Sequence, residues 1–300
     1  MNNQQFKDWC QLQANSVSPH LPQRPLLMGI LNVTPDSFSD GGRYLQLDRA
    51  VKHAEQMLQE GADIIDIGGE SSKPGALSVS LDEELNRVIP IIERLREISD
   101  VCISIDTTKA EVMREAIAAG AGLINDISAL KEHSSLTAAV QLQVPVCLMH
   151  MQGTPLTMQE APFYQHNVIT EINNFFTSRV EICIAAGLKR DQLILDPGFG
   201  FGKTVQHNLQ IIKYLEHFKV HHLPIMLGVS RKSTIGTLLN KTADERLIGS
   251  IALSTIAALN GASLLRTHDI DETRQALQIA LAIRQADNKE SKEDKSHGST

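Results

Sequence analysis

One pattern recurs through most of the chain. A short run rich in Ile, Leu and Val stops at a polar residue, and a loop and a stretch of helical periodicity follow. The runs occupy 26–32, 62–67, 101–106, 122–127, 144–149, 192–196, 224–229 and 262–266. They are almost continuously apolar rather than alternating, as strands buried on both faces must be. Between them, Ala50, Val51, Ala54, Met57 and Leu58 share one helical face ahead of Gly61, a fitting helix stop. Leu85, Val88, Ile89, Ile92 and Leu95 share another face. So do Val112, Ala116 and Ile117, and so do Ile172, Phe175, Phe176, Val180 and Ile184. Strands alternating with helices pair in parallel, and about eight of them make an α/β chain that closes into a (β/α)8 TIM barrel.

The competing fold is an open, doubly wound sheet. Its usual phosphate loops are absent. Residues 198–204 read Gly-Phe-Gly-Phe-Gly-Lys-Thr, but a P-loop needs glycine where Pro197 stands, and Lys203 occupies the last place of a GxGxxG motif. The reading is therefore a barrel domain over residues 25–287, with a short N-terminal extension over 1–24 and a disordered C-terminal tail over 288–300, which lacks apolar residues. Within the extension, Phe6, Trp9 and Leu12 are expected on one face of a short packing helix.

Composition narrows the function. A net charge of −7 argues against a nucleic-acid partner. Cys10, Cys102, Cys147 and Cys183 are widely spaced, so neither a zinc site nor a disulfide framework is expected, and all four read as small buried hydrophobes. No apolar run approaches the roughly 20 residues of a membrane span. No signal-like segment opens the chain, so a cytoplasmic location is expected.

In such a barrel the chemistry sits at the C-terminal ends of the strands. Those ends offer Asn32, Asp66, Asp106, Asn125 with Asp126, Met149 with His150, Asp196, Ser230 to Lys232, and Arg266 with His268. Three groups emerge. Asp106, Asn125 and Asp196 suit a nitrogen-rich ring, because carboxylates accept paired N–H bonds and an amide both donates and accepts. Lys232, Arg266 and His268 form a cationic group where barrels often bind phosphate, and the helix opening at Ser233 is expected to add N–H donors. The loops 32–42 and 68–75, rich in Gly, Ser and Pro, flank the same rim and suit closure over a substrate. His221 and His222 precede a strand and read as a surface feature of the barrel bottom. His150 reads as a packed histidine.

These residues carry a resemblance. The segments MGILNVTPDSFSDGG (28–42), DIGGESSKPGA (66–76), SIDTTK (104–109), INDIS (124–128), CLMHMQGTP (147–155), LDPGFGFGKT (195–204), GVSRKS (228–233) and RTHD (266–269) resemble those of the dihydropteroate synthase family, in order, over about residues 25–285. The resemblance implies a TIM-barrel transferase. It condenses 6-hydroxymethyl-7,8-dihydropterin diphosphate with 4-aminobenzoate, giving 7,8-dihydropteroate and pyrophosphate, with Mg²⁺, as a homodimer and a sulfonamide target. It implies Asp106 and Lys232 as catalytic residues. It places Asp106, Asn125, Met149, Asp196, Gly228 and Lys232 around the pterin. Asn32, Ser72, Lys73, Arg266 and His268 would meet the diphosphate, with Asn32 beside the metal. Phe38, Pro74, Phe201 and Ser233 would line the aminobenzoate pocket.

A barrel that transfers a methyl group from a reduced folate would share the carboxylates and the amide, but it has no use for a diphosphate site. A degenerate barrel that only binds would be expected to have lost rim residues, and the rim here is intact. One departure stands out. Ser72-Lys73-Pro74 replaces the Thr-Arg-Pro of many family members, so a bidentate fork becomes a point charge. Retained activity with weaker anion binding is expected.

Overall fold

The computed structural model describes residues 1–15, 24–33 and 43–286. Eight strands alternate with helices: β1 (Leu26–Asn32), β2 (Ile64–Gly68), β3 (Cys102–Asp106), β4 (Leu123–Asp126), β5 (Val146–Met149), β6 (Leu193–Asp196), β7 (Met226–Gly228) and β8 (Leu264–Thr267). The helices are α1 (Asn3–Asn15), α2 (Arg43–Glu60), α3 (Leu81–Ile98), α4 (Ala110–Ala118), α5 (His133–Leu142), α6 (Val168–Ala186), α7 (Val205–Lys213), α8 (Ser233–Leu239), α9 (Leu247–Leu259) and α10 (Ile270–Gln285). Neighbouring strands pair in parallel in the order β6-β5-β4-β3-β2-β1-β8-β7. A parallel bridge between Leu195 and Ile225 draws the two ends together. This is the expected (β/α)8 barrel and not the open sheet. Gly61 ends α2 as expected, at φ +104°, while the amide of Ala62 donates back to the Met57 carbonyl.

Side chains alternate along a strand, so every second residue points into the barrel. The lower inward positions are apolar: Leu26 and Met28, Ile64, Cys102, Leu123, Cys147, Ile194, Met226 and Leu264 form one buried cluster. Two residues further along, the inward face turns polar on β2, β3, β4, β6 and β8. It carries Asp66, Ser104 and then Asp106, Asn125, Asp196 and Arg266. The outward faces of the strands and the inner faces of the surrounding helices make the larger cluster, in which Leu27, Ile65, Ile103 and Leu148 are fully buried.

The N-terminal extension closes the bottom. Helix α1 inserts Phe6 and Cys10, both fully buried, into the lower inward cluster. Phe6 stacks on Trp9 with ring centroids 5.6 Å apart. Leu12, expected on the same face, is exposed instead. At 3.6 residues per turn, Phe6 and Cys10 (i, i+4) lie above one another, while Leu12 falls on another side of the helix. Two bonds anchor the helix start: the Cys102 amide donates to the Met1 carbonyl, and Asn2 bridges Val101. All four cysteines are free and buried. The expected loop residue Phe38 and the tail 288–300 lie outside the described residues. Among the described residues, no helix is long and apolar enough to cross a membrane.

Phe6→Ala removes a large side chain from a sealed apolar floor. Its expected cost is about 3 kcal/mol of unfolding free energy in urea titration. A loss well below 1 kcal/mol would show that α1 is not part of the core.

Candidate active site

At the C-terminal mouth the loops surround a cavity of about 590 Å³. Every expected site residue among the described residues lines it. The strand register explains the convergence. Asp106 pairs with Asn125, Met149 with Asp196, and Gly228 with Arg266, so residues distant in sequence lie at one level of the barrel. Met158 and Arg246 also line the cavity, although nothing in the sequence singles them out, and so do Ser71 and Arg231, from the loop after β2 and the segment after β7 that the sequence marks.

The strand-end carboxylates do not share one role. Asp126 turns outward and accepts the amides of Ser128 (2.7 Å) and Leu130 (2.8 Å), bracing its own loop. Asp66 stands one layer below the mouth, fully buried and outside the cavity lining. Its rim placement in the sequence reading is therefore corrected, because β2 runs two residues further, to Gly68. Asp66 Oδ2 accepts Arg266 Nε at 2.5 Å and Asn125 Nδ2 at 3.2 Å. The same guanidinium donates from Nη2 to Asp106 Oδ2 at 2.9 Å. The sequence had placed Asp106 and Arg266 in separate groups, one for the ring and one for the anion. The structure joins them in one ion pair.

Burial sets the protonation of the site. It raises the Asp106 carboxyl to about 7, with Arg266 opposing the shift and Asp66, Glu84 and Asp126 adding to it. Burial also raises Asp196, against Lys232 and the Gly198 amide, which donates to Asp196 at 2.7 Å. Lys232 is lowered to about 8 by burial, with Asp196 resisting and Arg266 reinforcing the fall. Its ammonium donates to the Phe199 carbonyl and lies 4.5 Å from the Phe201 ring centroid, a cation–π contact. His268 is lowered to about 4 by burial, next by Arg266 and then by Arg231. It is therefore a neutral imidazole near pH 7, with Nδ1 3.0 Å from Ser230 Oγ, and not the cation the sequence suggested.

The loops are fixed by side chains that the motifs did not single out. Glu70 accepts Ser78 Oγ (3.0 Å), the Val79 amide (2.9 Å) and Lys109 Nζ (2.6 Å). Lys109 also reaches Glu84 (2.5 Å), which in turn accepts Thr107 Oγ1 (2.5 Å). This chain pins both ends of the loop bearing Ser72, Lys73 and Pro74 against the tip of β3. Ser72 is half-buried, whereas Lys73 and Pro74 are exposed at the mouth. On the other side, a Cβ on Gly198 (φ +69°) would stand 1.9 Å from the His150 carbonyl oxygen, so only glycine permits that approach. Buried Lys203 donates to the Phe201 carbonyl at 2.9 Å and lies 3.0 Å from His150 Nδ1. Burial, reinforced by Lys203, lowers His150 to about 2, which leaves a neutral acceptor. His150 is packed, as read, with its ring 4.9 Å from Phe175.

One further expectation changes, and another is qualified. Helix α8 opens at Ser233 on the cavity wall, with no side-chain cap on its first amides, but it spans only seven residues, so its end dipole is small. Charge on that side comes from Arg231 and Arg246, which also line the cavity. His221 is buried, not a surface feature; its Nε2 is 2.9 Å from Asn173 Oδ1 and its ring packs on Phe176.

Among the described residues, no group of three or more His, Cys, Asp or Glu is arranged to hold a metal. Asn32, half-buried at the cavity edge, offers a single amide oxygen. That fits Mg²⁺, which keeps most of its waters and is usually bound by one or two protein oxygens plus substrate phosphates.

A closed parallel barrel whose mouth combines carboxylates, an amide and buried cations defines an enzyme for a polar heterocycle bearing an anionic group. Residues 28–268 match the family model described as pterin binding enzyme. The dihydropteroate synthase of Escherichia coli K12 is 52% identical over 86% of this chain and 91% of its own length. A crystal structure of the Yersinia pestis dihydropteroate synthase with a sulfonamide drug complex superposes with a TM-score of 0.84 at 52% identity, covering 88% of this chain and 95% of that one. The Xanthomonas albilineans dihydropteroate synthase in complex with 7,8-dihydropteroate gives 0.80 at 43% identity, over 88% and 95%. The chain belongs to the pterin-binding enzymes and, within them, to the dihydropteroate synthases.

Asp106 makes stability depend on pH. The folded chain keeps its proton to about 7, while the unfolded chain releases it near the ordinary 3.8. Between those values the native state binds more protons, so stability falls as pH rises and the loss is complete above about 7. Asp106→Asn is expected to raise Tm more at pH 8 than at pH 5 in thermal unfolding. An equal change at both pH values would show that the carboxyl is not held protonated.

Proposed function

We infer that this chain is a transferase that condenses 6-hydroxymethyl-7,8-dihydropterin diphosphate with 4-aminobenzoate, releasing pyrophosphate and 7,8-dihydropteroate. One observation carries the reading: a single cavity holds both the buried carboxylate and amide set and a cationic flank of Lys232, Arg266 and Arg231. A methyl transfer from a reduced folate would leave that flank without a ligand.

The chain's residues divide the work. Asp196, Asn125 and Lys232 hold the ring edge through donors and acceptors of matching type. Arg266, Lys73, Ser72 and the neutral His268 meet the diphosphate. Mg²⁺ bound with the diphosphate beside Asn32 would neutralise charge on the departing oxygens. The C–O bond to the diphosphate breaks, and its electron pair leaves with the oxygen. The developing positive charge spreads into the pterin, where ionised Asp106 stabilises it. The arylamine then forms the C–N bond and loses its proton. This order is dissociative and needs no covalent bond to the enzyme. Pro74, Phe201 and Ser233, with Phe38, hold the aminobenzoate, and the braced loop after β2 shields the cation from water.

A second copy of the chain is the proposed occupant of an apolar outer face. Leu238, Leu239, Ile248 and Ile256 on α8 and α9, with Ile279 and Ile283 on α10, stand exposed. An apolar face of that kind suits a homodimer. Four reduced, buried thiols suit a cytoplasmic setting.

The test is pyrophosphate release with the dihydropterin diphosphate, Mg²⁺ and 4-aminobenzoate, each omitted in turn. Release that requires aminobenzoate and yields dihydropteroate is expected. Tight ring binding without turnover would overturn the reading.

A further inference from the structure

Three places outside the assigned contacts could do more than build the fold. They are the Glu70–Lys109–Glu84 chain under the β2 loop, the Lys203–His150 clamp under the β6 loop, and Asp66 beneath the cavity. The first two hold their loops through bonds that are fully partnered. Asp66 is different. It is fully buried on β2, yet Oδ1 has no hydrogen-bond partner among the described residues. Beside it in register, Ser104 Oγ on β3 is buried and likewise has no partner among the described residues. Native interiors seldom leave buried polar atoms unpaired, so each such atom calls for an explanation.

We propose that Asp66 is a positioning residue that keeps Asp106 available to the pterin by holding Arg266 to one side. The geometry gives the reason. A guanidinium facing a lone carboxylate prefers a two-point fork, which would occupy both oxygens of Asp106. Asp66 takes Nε at 2.5 Å, so Arg266 reaches Asp106 only through Nη2, at 2.9 Å. Asp106 Oδ1 and the guanidinium's Nη1, neither hydrogen-bonded to a described residue, remain for ligand. The same Asp66 oxygen accepts Asn125 Nδ2 and so orients a second ring-facing group.

Asp66 also acts by charge. The groups facing Asp106 are Arg266 on β8, Asp66 on β2, Glu84 on α3 and Asp126 on β4, and Lys232 after β7 feels its charge. Asp66 is the largest of the anionic influences that keep the Asp106 proton on.

This inference rests on the proposed reaction, and the experiment separates the two. Wild-type turnover with aminobenzoate is measured first; its absence sinks the reaction and the inference together. With turnover present, Asp66→Asn keeps the shape and removes the charge. The acid limb of its kcat/KM profile is expected to move to lower pH. KM for the pterin diphosphate should rise about tenfold, the scale of one charge-assisted hydrogen bond, while KM for aminobenzoate holds. Asp66→Glu keeps the charge and shifts its position, so its acid limb should stay in place while pterin KM rises. It also serves as the test if the Asn variant fails to fold. Wild-type limb position and KM in a folded Asn variant, or limb shifts of equal size in both variants, would overturn the proposal.

Discussion

One guanidinium organises the mouth of this barrel. Arg266 is shared between Asp66 at 2.5 Å and Asp106 at 2.9 Å, inside a protein interior where charges are poorly solvated. A buried ion pair is weak evidence for stability, since desolvation can exceed the attraction. Two carboxylates around one cation leave a surplus of negative charge, and burial, with Asp66 adding to it and Arg266 opposing, raises the proton affinity of Asp106. That surplus is an asset for a reaction in which positive charge develops on a bound ring. Asp196 and Lys232 form a second opposed pair across the mouth, each pushed toward neutrality by burial and drawn back by the other.

Such a mouth needs a floor that does not yield. The barrel supplies it by layering its interior. Apolar side chains fill the lower level, sealed from below by Phe6 and Cys10 of α1, and polar groups appear only above. The loops carry the same division. Glu70, Lys109 and Glu84 brace the β2 loop, and Lys203 with His150 ties the β5 and β6 loops together. The groups exposed at the mouth, Lys73 and Pro74, thus stand on a fixed base while remaining free to meet ligand.

Much of this was legible in the residue pattern. Continuous apolar runs and helical stripes named the barrel, because each reports local burial directly. The rim residues were legible because a polar group at the end of an apolar strand has few other places to be. What escaped was pairing across the barrel. Asp66 and Arg266 are 200 residues apart, and only the register, with Asp66 at the level of Ile30 and Ser104, brings them together. Lys203 escaped because nothing in a glycine-rich segment shows that its lysine turns inward. His268 reads as a cation in the sequence because its neutral state depends first on burial and then on Arg266 and Arg231, all of which only the fold supplies. Leu12 was misplaced by one helical step, a matter of which side of α1 faces the floor.

The most direct test is the affinity of the dihydropterin ring without its diphosphate, followed by fluorescence titration from pH 5.5 to 9. Ring donors need ionised carboxylates, and both Asp106 and Asp196 are pushed up by burial, while Lys232 falls to about 8. Affinity should therefore rise as pH passes about 7 and decline above about 8. An affinity that does not change with pH across that range would contradict the account.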